Sequence, residues 1–146
     1  MGFGVDLAAF AAKAKANADA VVRKVVLDIG AELVQMSPVG DASYWLSPPP
    51  PGYTGGRFRG NWQHGIATPP VGEIDAVDPS GGATLAKIAG NIPANSGGLV
   101  HYIMNNLPYA HRLEDGYSRQ APHGMVGLTV IKFQGIVDAA AQAVNK

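Results

Sequence analysis

Cysteine is absent from these 146 residues, which excludes disulfides, thiolate metal ligands and thiol catalysis. An excess of one charge is missing as well. Eleven basic and eleven acidic side chains cancel, so the chain lacks the electrostatic footprint of a free-standing nucleic-acid binder. Sequence-independent DNA affinity would have to come from assembly. No apolar run approaches the roughly 18 residues needed to span a bilayer, and the N-terminus lacks the basic-then-apolar order of a signal peptide. The expectation is a soluble chain made in the cytoplasm, without membrane contact. What is present, 47% hydrophobic and 15% charged residues, suffices for one core, and the length fits one domain. Glycine (19) and proline (11) are abundant and gather between residues 37 and 98, which places the loops there.

From Asp6, a candidate N-cap, apolar positions step by three or four through Leu7, Phe10, Ala14, Ala18, Val22, Val25, Ile29, Leu33 and Met36. This spacing predicts a long amphipathic helix over 1–37, ended by Ser37-Pro38. Its first half is nearly all alanine on the apolar side, so it packs closely on something or projects as an arm. At the other end, Val126, Val130, Phe133, Val137, Ala141 and Val144 repeat the helical step, predicting a second amphipathic helix over 125–146 that tolerates Gly127 and Gly135.

Between them, residues 38–60 hold Trp45, four consecutive prolines at 48–51 and the run Gly55–Gly60. The prolines favour an extended, exposed polyproline excursion, either a docking element or a surface loop whose Trp45 folds back on its own domain. Arg57 and Arg59 read as ion-pair or interface residues opening a strand. One Arg-Gly copy is too little for a disordered RNA-binding tail. Within 61–105, Trp62, His64 and Ile66 alternate with polar or small residues, and Val71–Val77 alternates again, giving two half-buried strands split by Pro69-Pro70. Asp78–Gly82 is a turn cluster, Thr84–Ile92 a short helix, and Leu99–Asn105 a third strand. Gly81-Gly82 could cradle a phosphate at a helix N-terminus, but the Lys-Ser/Thr of a P-loop is missing.

The stretch His101–Met125 is where the chain is most distinctive. Asn105-Asn106 marks a turn, Pro108 suits the first turn of a helix, and Tyr109 and Leu113 share one helical face. Arg112 and Asp115 flank that face, and Gly116 stands where a left-handed terminating residue belongs. Ser118–Gly124 adds a second turn cluster. A polar loop between ordered elements suits contact with a partner. His64, His101, His111 and His123 show no ligand spacing on one helix, and His111 with Glu114 lacks a nucleophile, so no metal, cofactor or catalytic residue is assigned.

The order Ser37-Pro38-Val39, Thr54-Gly55, Arg57-x-Arg59-Gly60-Asn61-Trp62, then Tyr102-Ile103-x-Asn105-Asn106-x-Pro108-Tyr109-Ala110-x-x-Leu113-Glu114-x-Gly116-x-Ser118 and Ala121-Pro122-x-Gly124-Met125-Val126 resembles the neck and tail-completion proteins of long-tailed bacteriophages. These are head–tail joining proteins. The resemblance covers most of the chain, and its specific part is 102–126. It implies an α+β fold with long N- and C-terminal helices on a small, mainly antiparallel sheet, and long loops. It also implies a non-enzymatic virion subunit forming a homo-oligomeric ring of about six-fold or twelve-fold symmetry. The ring would surround genomic DNA without sequence-specific contact and adjoin head-closure or adaptor proteins and tail-terminator or tail-tube proteins. Trp45, Arg57, Arg59, Trp62, Asn106, Pro108, Tyr109, Arg112, Glu114 and Gly116 are the candidate interface and motif residues. Glu114 is expected to pair with Arg59 or Arg57. The chain departs from the family pattern in the insertion Gly40–Tyr53. The competing class is a monomeric peptide- or nucleic-acid-binding adaptor that uses the proline-rich loop with Arg57 and Arg59.

Overall fold

The computed structural model describes residues 3–145 of the chain. Its first element, α1 (Phe3–Met36), is one unbroken helix. The helix starts ahead of Asp6, so Asp6 lies within it and is not its N-cap. Its end is as expected, with Ser37 held out of the helix by the following Pro38. The two halves differ sharply in burial. Val26, Leu33 and Val34 are in the core, whereas every residue from Leu7 to Ala16 is exposed. Asp19 ties the middle of α1 to the body by accepting the Gly97 N–H at 2.8 Å. Ahead of Asp19 the helix projects as an arm, and at about 1.5 Å per residue Leu7 to Ala18 span roughly 18 Å.

After a 3-10 turn at Ala42–Tyr44, every residue from Trp45 to Gly52 is exposed. The proline run does not stay extended throughout. Tyr53 donates its N–H to the Pro50 carbonyl at 3.1 Å and Gly52 takes φ +75°, so Pro51-Gly52 make a turn. Trp45 packs on Tyr53, with ring centroids 4.6 Å apart, and stays outside the core.

The single turn α2 (Arg57–Gly60) takes the place of the expected strand opening and buries Phe58. Phe58 meets Trp62 edge to face at 5.8 Å in the centre of the core. Trp62 begins β1 (Trp62–Ile66), which pairs antiparallel with β2 (His101–Asn105), Trp62 opposite Asn105 and Ile66 opposite His101. Between them in sequence, α3 (Gly82–Asn91) packs Ile88 against α1 near Gly30. Leu99 and Val100 precede β2 and are exposed.

Val71–Val77 is not a strand. Pro69 and Pro70 have no N–H to donate, and Gly72 turns the chain at φ +78°, so no ladder can start there. Side chains fasten the segment instead: Asn61 accepts the Ile74 N–H at 2.9 Å, and Gln63 donates to the Gly72 carbonyl at 2.9 Å.

The chain ends in α4 (Ala110–Glu114) and α5 (Val126–Val144). α5 packs along the second half of α1: Met125 joins Leu33 in the core, and Lys132 pairs with Glu32 at 3.1 Å. Its buried face is Met125, Thr129 and Ala140. The stripe expected to face inward is displaced to one side, leaving Val126, Val130 and Phe133 exposed. Apolar residues surround most of this helix, so periodicity alone did not select the face. The architecture is α+β, with long terminal helices on a two-stranded antiparallel sheet among the described residues. No helix among them is long and apolar enough to cross a membrane.

Because Trp45 to Gly52 lie outside the core, replacing them with a short Gly-Ser linker should change unfolding free energy by less than about 1 kcal/mol in a denaturant titration. A loss of several kcal/mol would place Trp45 in the core.

Candidate functional site

A helix as long as α1 leaves its last carbonyls unpaired unless something meets them. Here Arg59 and Trp62 do so. Arg59 extends its planar fork from α2, one nitrogen donating to the Pro79 carbonyl at 2.7 Å, the other to the carbonyls of Ser37 at 2.6 Å and Gln35 at 3.1 Å. A cation at the negative end of a helix is favoured electrostatically as well as by hydrogen bonding. Trp62 donates its indole N–H to the Ser37 hydroxyl at 2.7 Å, which in turn donates to the Leu33 carbonyl at 2.6 Å. The Arg59 Nε is buried without a partner, so the geometry is set by the fork.

Glu114 forms a second clamp, and its partners differ from those expected. Neither arginine meets it. Its carboxylate accepts the backbone N–H groups of Met125, Val126 and Gly127, each at 2.9 Å. These are orphan donors of the α5 N-terminus, where the N-cap Met125 offers no side-chain oxygen. Glu114 therefore caps a helix that begins twelve residues later. Burial alone would raise its pKa, but the three N–H bonds prevail and hold it below the ordinary 4.5. The connecting loop can return because Gly116 takes φ +89° and Gly124 φ +78°. A Cβ at Gly116 would run into the Pro122 carbonyl, and one at Gly124 into Glu114 itself. Arg112 lies over the Tyr117 ring at 5.3 Å.

Asp78 acts on α3 in the same way. Its carboxylate accepts from the Thr84 N–H at 2.8 Å, the Thr84 hydroxyl at 2.7 Å and the Gly81 N–H at 3.1 Å. The α3 N-terminus is thus occupied by the chain's own carboxylate, and the glycine pair has no vacant phosphate cradle.

The remaining candidates lie on the surface around segment 70–75. Arg57 pairs with Glu73 at 2.8 Å, both partners well exposed, an arrangement that contributes little stability. Tyr109 packs against Phe58 with centroids 6.1 Å apart, and burial raises its hydroxyl pKa against the opposing effect of the Arg57 cation. Asn106 donates to the carbonyls of Pro70 at 3.0 Å and Gly72 at 3.1 Å, so it bonds a distant segment. Asn105 bonds its own turn, accepting the Leu107 N–H at 3.3 Å. Pro108 stands in the turn just ahead of α4. Trp45 remains apart in its loop.

The antiparallel register also brings together two histidines that sequence spacing left unrelated. Asn91 donates to His64 Nδ1 at 2.8 Å and to the His64 carbonyl at 3.0 Å, which fixes its amide orientation. His64 Nε2 then donates to His101 Nδ1 at 3.0 Å, and His101 Nε2 to the Ser96 carbonyl at 3.1 Å. This chain requires both rings neutral. Burial, then the neighbouring His101, lowers the His64 pKa. His64 and Asn91 line a shallow cleft of ≈ 290 Å³ with Gln63 and Lys87. Among the described residues, no three histidine, aspartate or glutamate side chains converge as a metal-binding group.

No protein-family model, no curated protein and no solved structure matches this chain.

Replacing Glu114 with alanine should cost about 2 kcal/mol of stability, the upper range for a helix cap. The contribution of the carboxylate should be complete above pH 4.5 and be lost as pH falls through the depressed folded-state pKa. Denaturant midpoints across that range test it; an unchanged midpoint in Glu114→Ala would remove the cap assignment. For His64 the folded-state pKa is below the ordinary 6.5, so its stabilising effect is complete above that pH and declines as pH falls below it. Thermal unfolding at stepped pH should show this decline, and His64→Gln should flatten it.

Proposed function

We propose that this chain is a structural subunit of the head–tail connector of a long-tailed bacteriophage, a neck or tail-completion protein located in the virion at the junction of capsid and tail. The observation that carries the reading is the work done by the block from Tyr102 to Val126. The residues that make up the resemblance are joints: Glu114 caps α5, and Gly116 and Gly124 make the return turns that allow it. A motif of this kind preserves the relative placement of two helices, which is what a repeated building block needs. Large apolar side chains left uncovered on the arm and on α5 support assembly into a homo-oligomeric ring of about six-fold or twelve-fold symmetry. Zero net charge suits a channel through which genomic DNA passes without being held by its phosphates. The exposed proline loop is available to adjoining head-closure, adaptor, tail-terminator or tail-tube proteins. The adaptor reading loses its main support, since Arg59 is engaged by backbone carbonyls and Arg57 by Glu73.

Deleting the gene from the virus that encodes the chain should yield DNA-filled heads and separate tails by electron microscopy, with joining restored by the wild-type protein in trans. Normally joined particles without the protein would overturn the reading.

A further inference from the structure

The α1 surface facing α5 includes Asp28, Glu32 and Gln35, against Lys132, Ile136 and Ala139. At helical spacing the same side of α1 continues toward the N-terminus through Ala14, Phe10 and Leu7. Along the arm nothing of the described chain covers it: Phe10 is 72% and Leu7 54% exposed. Because α1 is unbroken, its own α5 cannot reach this part. A complementary deficit exists elsewhere on the molecule. Beside its buried face, α5 exposes Val126, Val130 and Phe133, at positions i, i+4 and i+7, and the line continues through the half-buried Val137, Ala141 and Val144.

We propose that the arm of one copy, from Leu7 to Ala18, docks on the free flank of α5 in a second copy. Three observations select another copy of this chain as the occupant. The arm surface is the continuation of one that already packs against α5 within the molecule. The lengths also agree: Leu7–Ala18 and Val126–Val137 each span roughly 18 Å at about 1.5 Å per residue. Charge is complementary in part, since the arm from Leu7 to Ala18 carries Lys13 and Lys15 and no acid, with Lys15 paired to Asp19 at 3.0 Å, whereas Asp138 is the acid of α5, bonded to the neutral Gln134. Alanines on the arm allow close approach of the two helices. The two surfaces differ, so the contact is heterologous and leads to a ring or an open chain. The inference rests on the ring reading for its closure, and it identifies the surfaces that would meet.

The absence of cysteine permits a direct test. Phe10→Cys and Val130→Cys variants, both at exposed positions, are mixed in concentrated solution and oxidised, with Ala12→Cys, exposed on the opposite side of the arm, as control. The expected result is a mixed 10–130 dimer at least about tenfold more abundant than either self-linked dimer or the 12–130 product, as raised effective concentration dictates. Predominant 10–10 links would overturn the proposal in favour of arm–arm pairing. Oligomers by light scattering without preferential 10–130 links would overturn this contact while leaving the ring reading standing. A monomer without such links would overturn the contact, and the gene deletion would then decide the ring reading by itself.

Discussion

The guanidinium of Arg59 meets the end of α1 and the turn before α3 at once. Its bonds to Gln35 and Ser37 close the terminus of α1, and its bond to Pro79 fixes the backbone next to Asp78, the carboxylate that caps α3. Trp62, three residues on, secures the same terminus through Ser37 and carries its ring into the core against Phe58. α1, α3 and the start of the sheet therefore share one point of attachment. Three of the last carbonyls of α1, those of Leu33, Val34 and Gln35, are satisfied there. A lysine could carry the charge but not the fork that reaches these separate acceptors.

Glu114 performs the equivalent task for α5 with the opposite charge at the opposite helix end. The two clamps explain why a chain with many glycines and prolines still has defined helix placement. In each case a side chain from a short one-turn helix closes the end of a long one. Asp78 caps α3 with a carboxylate in the same way, from the turn that precedes it. Polar anchors placed at helix ends thus do much of the positioning that a larger sheet would do.

The parts legible in the sequence were those written in local pattern. The end of α1 at Pro38, the terminating role of Gly116, the separate strands at Trp62–Ile66 and His101–Asn105 and the exposed proline loop all follow from residues close to one another. The parts that were not legible depend on residues that meet only after folding. The alternation of Val71–Val77 imitated a strand because its contacts are made by Asn61, Gln63 and Asn106, none of them adjacent in sequence. Glu114 was matched with arginines because a carboxylate invites a cation, yet backbone N–H groups at a helix start satisfy it equally well. His64 and His101 meet only through the β1–β2 register. The inward face of α5 was misjudged because both flanks are apolar, and only the position of α1 breaks that tie.

The side-chain fastening of segment 70–75 has a further consequence. In an ordinary strand the ladder belongs to the backbone, so most substitutions leave its register untouched. Here the register is stored in three amides, and a shift of the segment by one residue would forfeit those contacts without breaking any strand. The segment can therefore change its path through a few side-chain replacements while β1 and β2 stay in place.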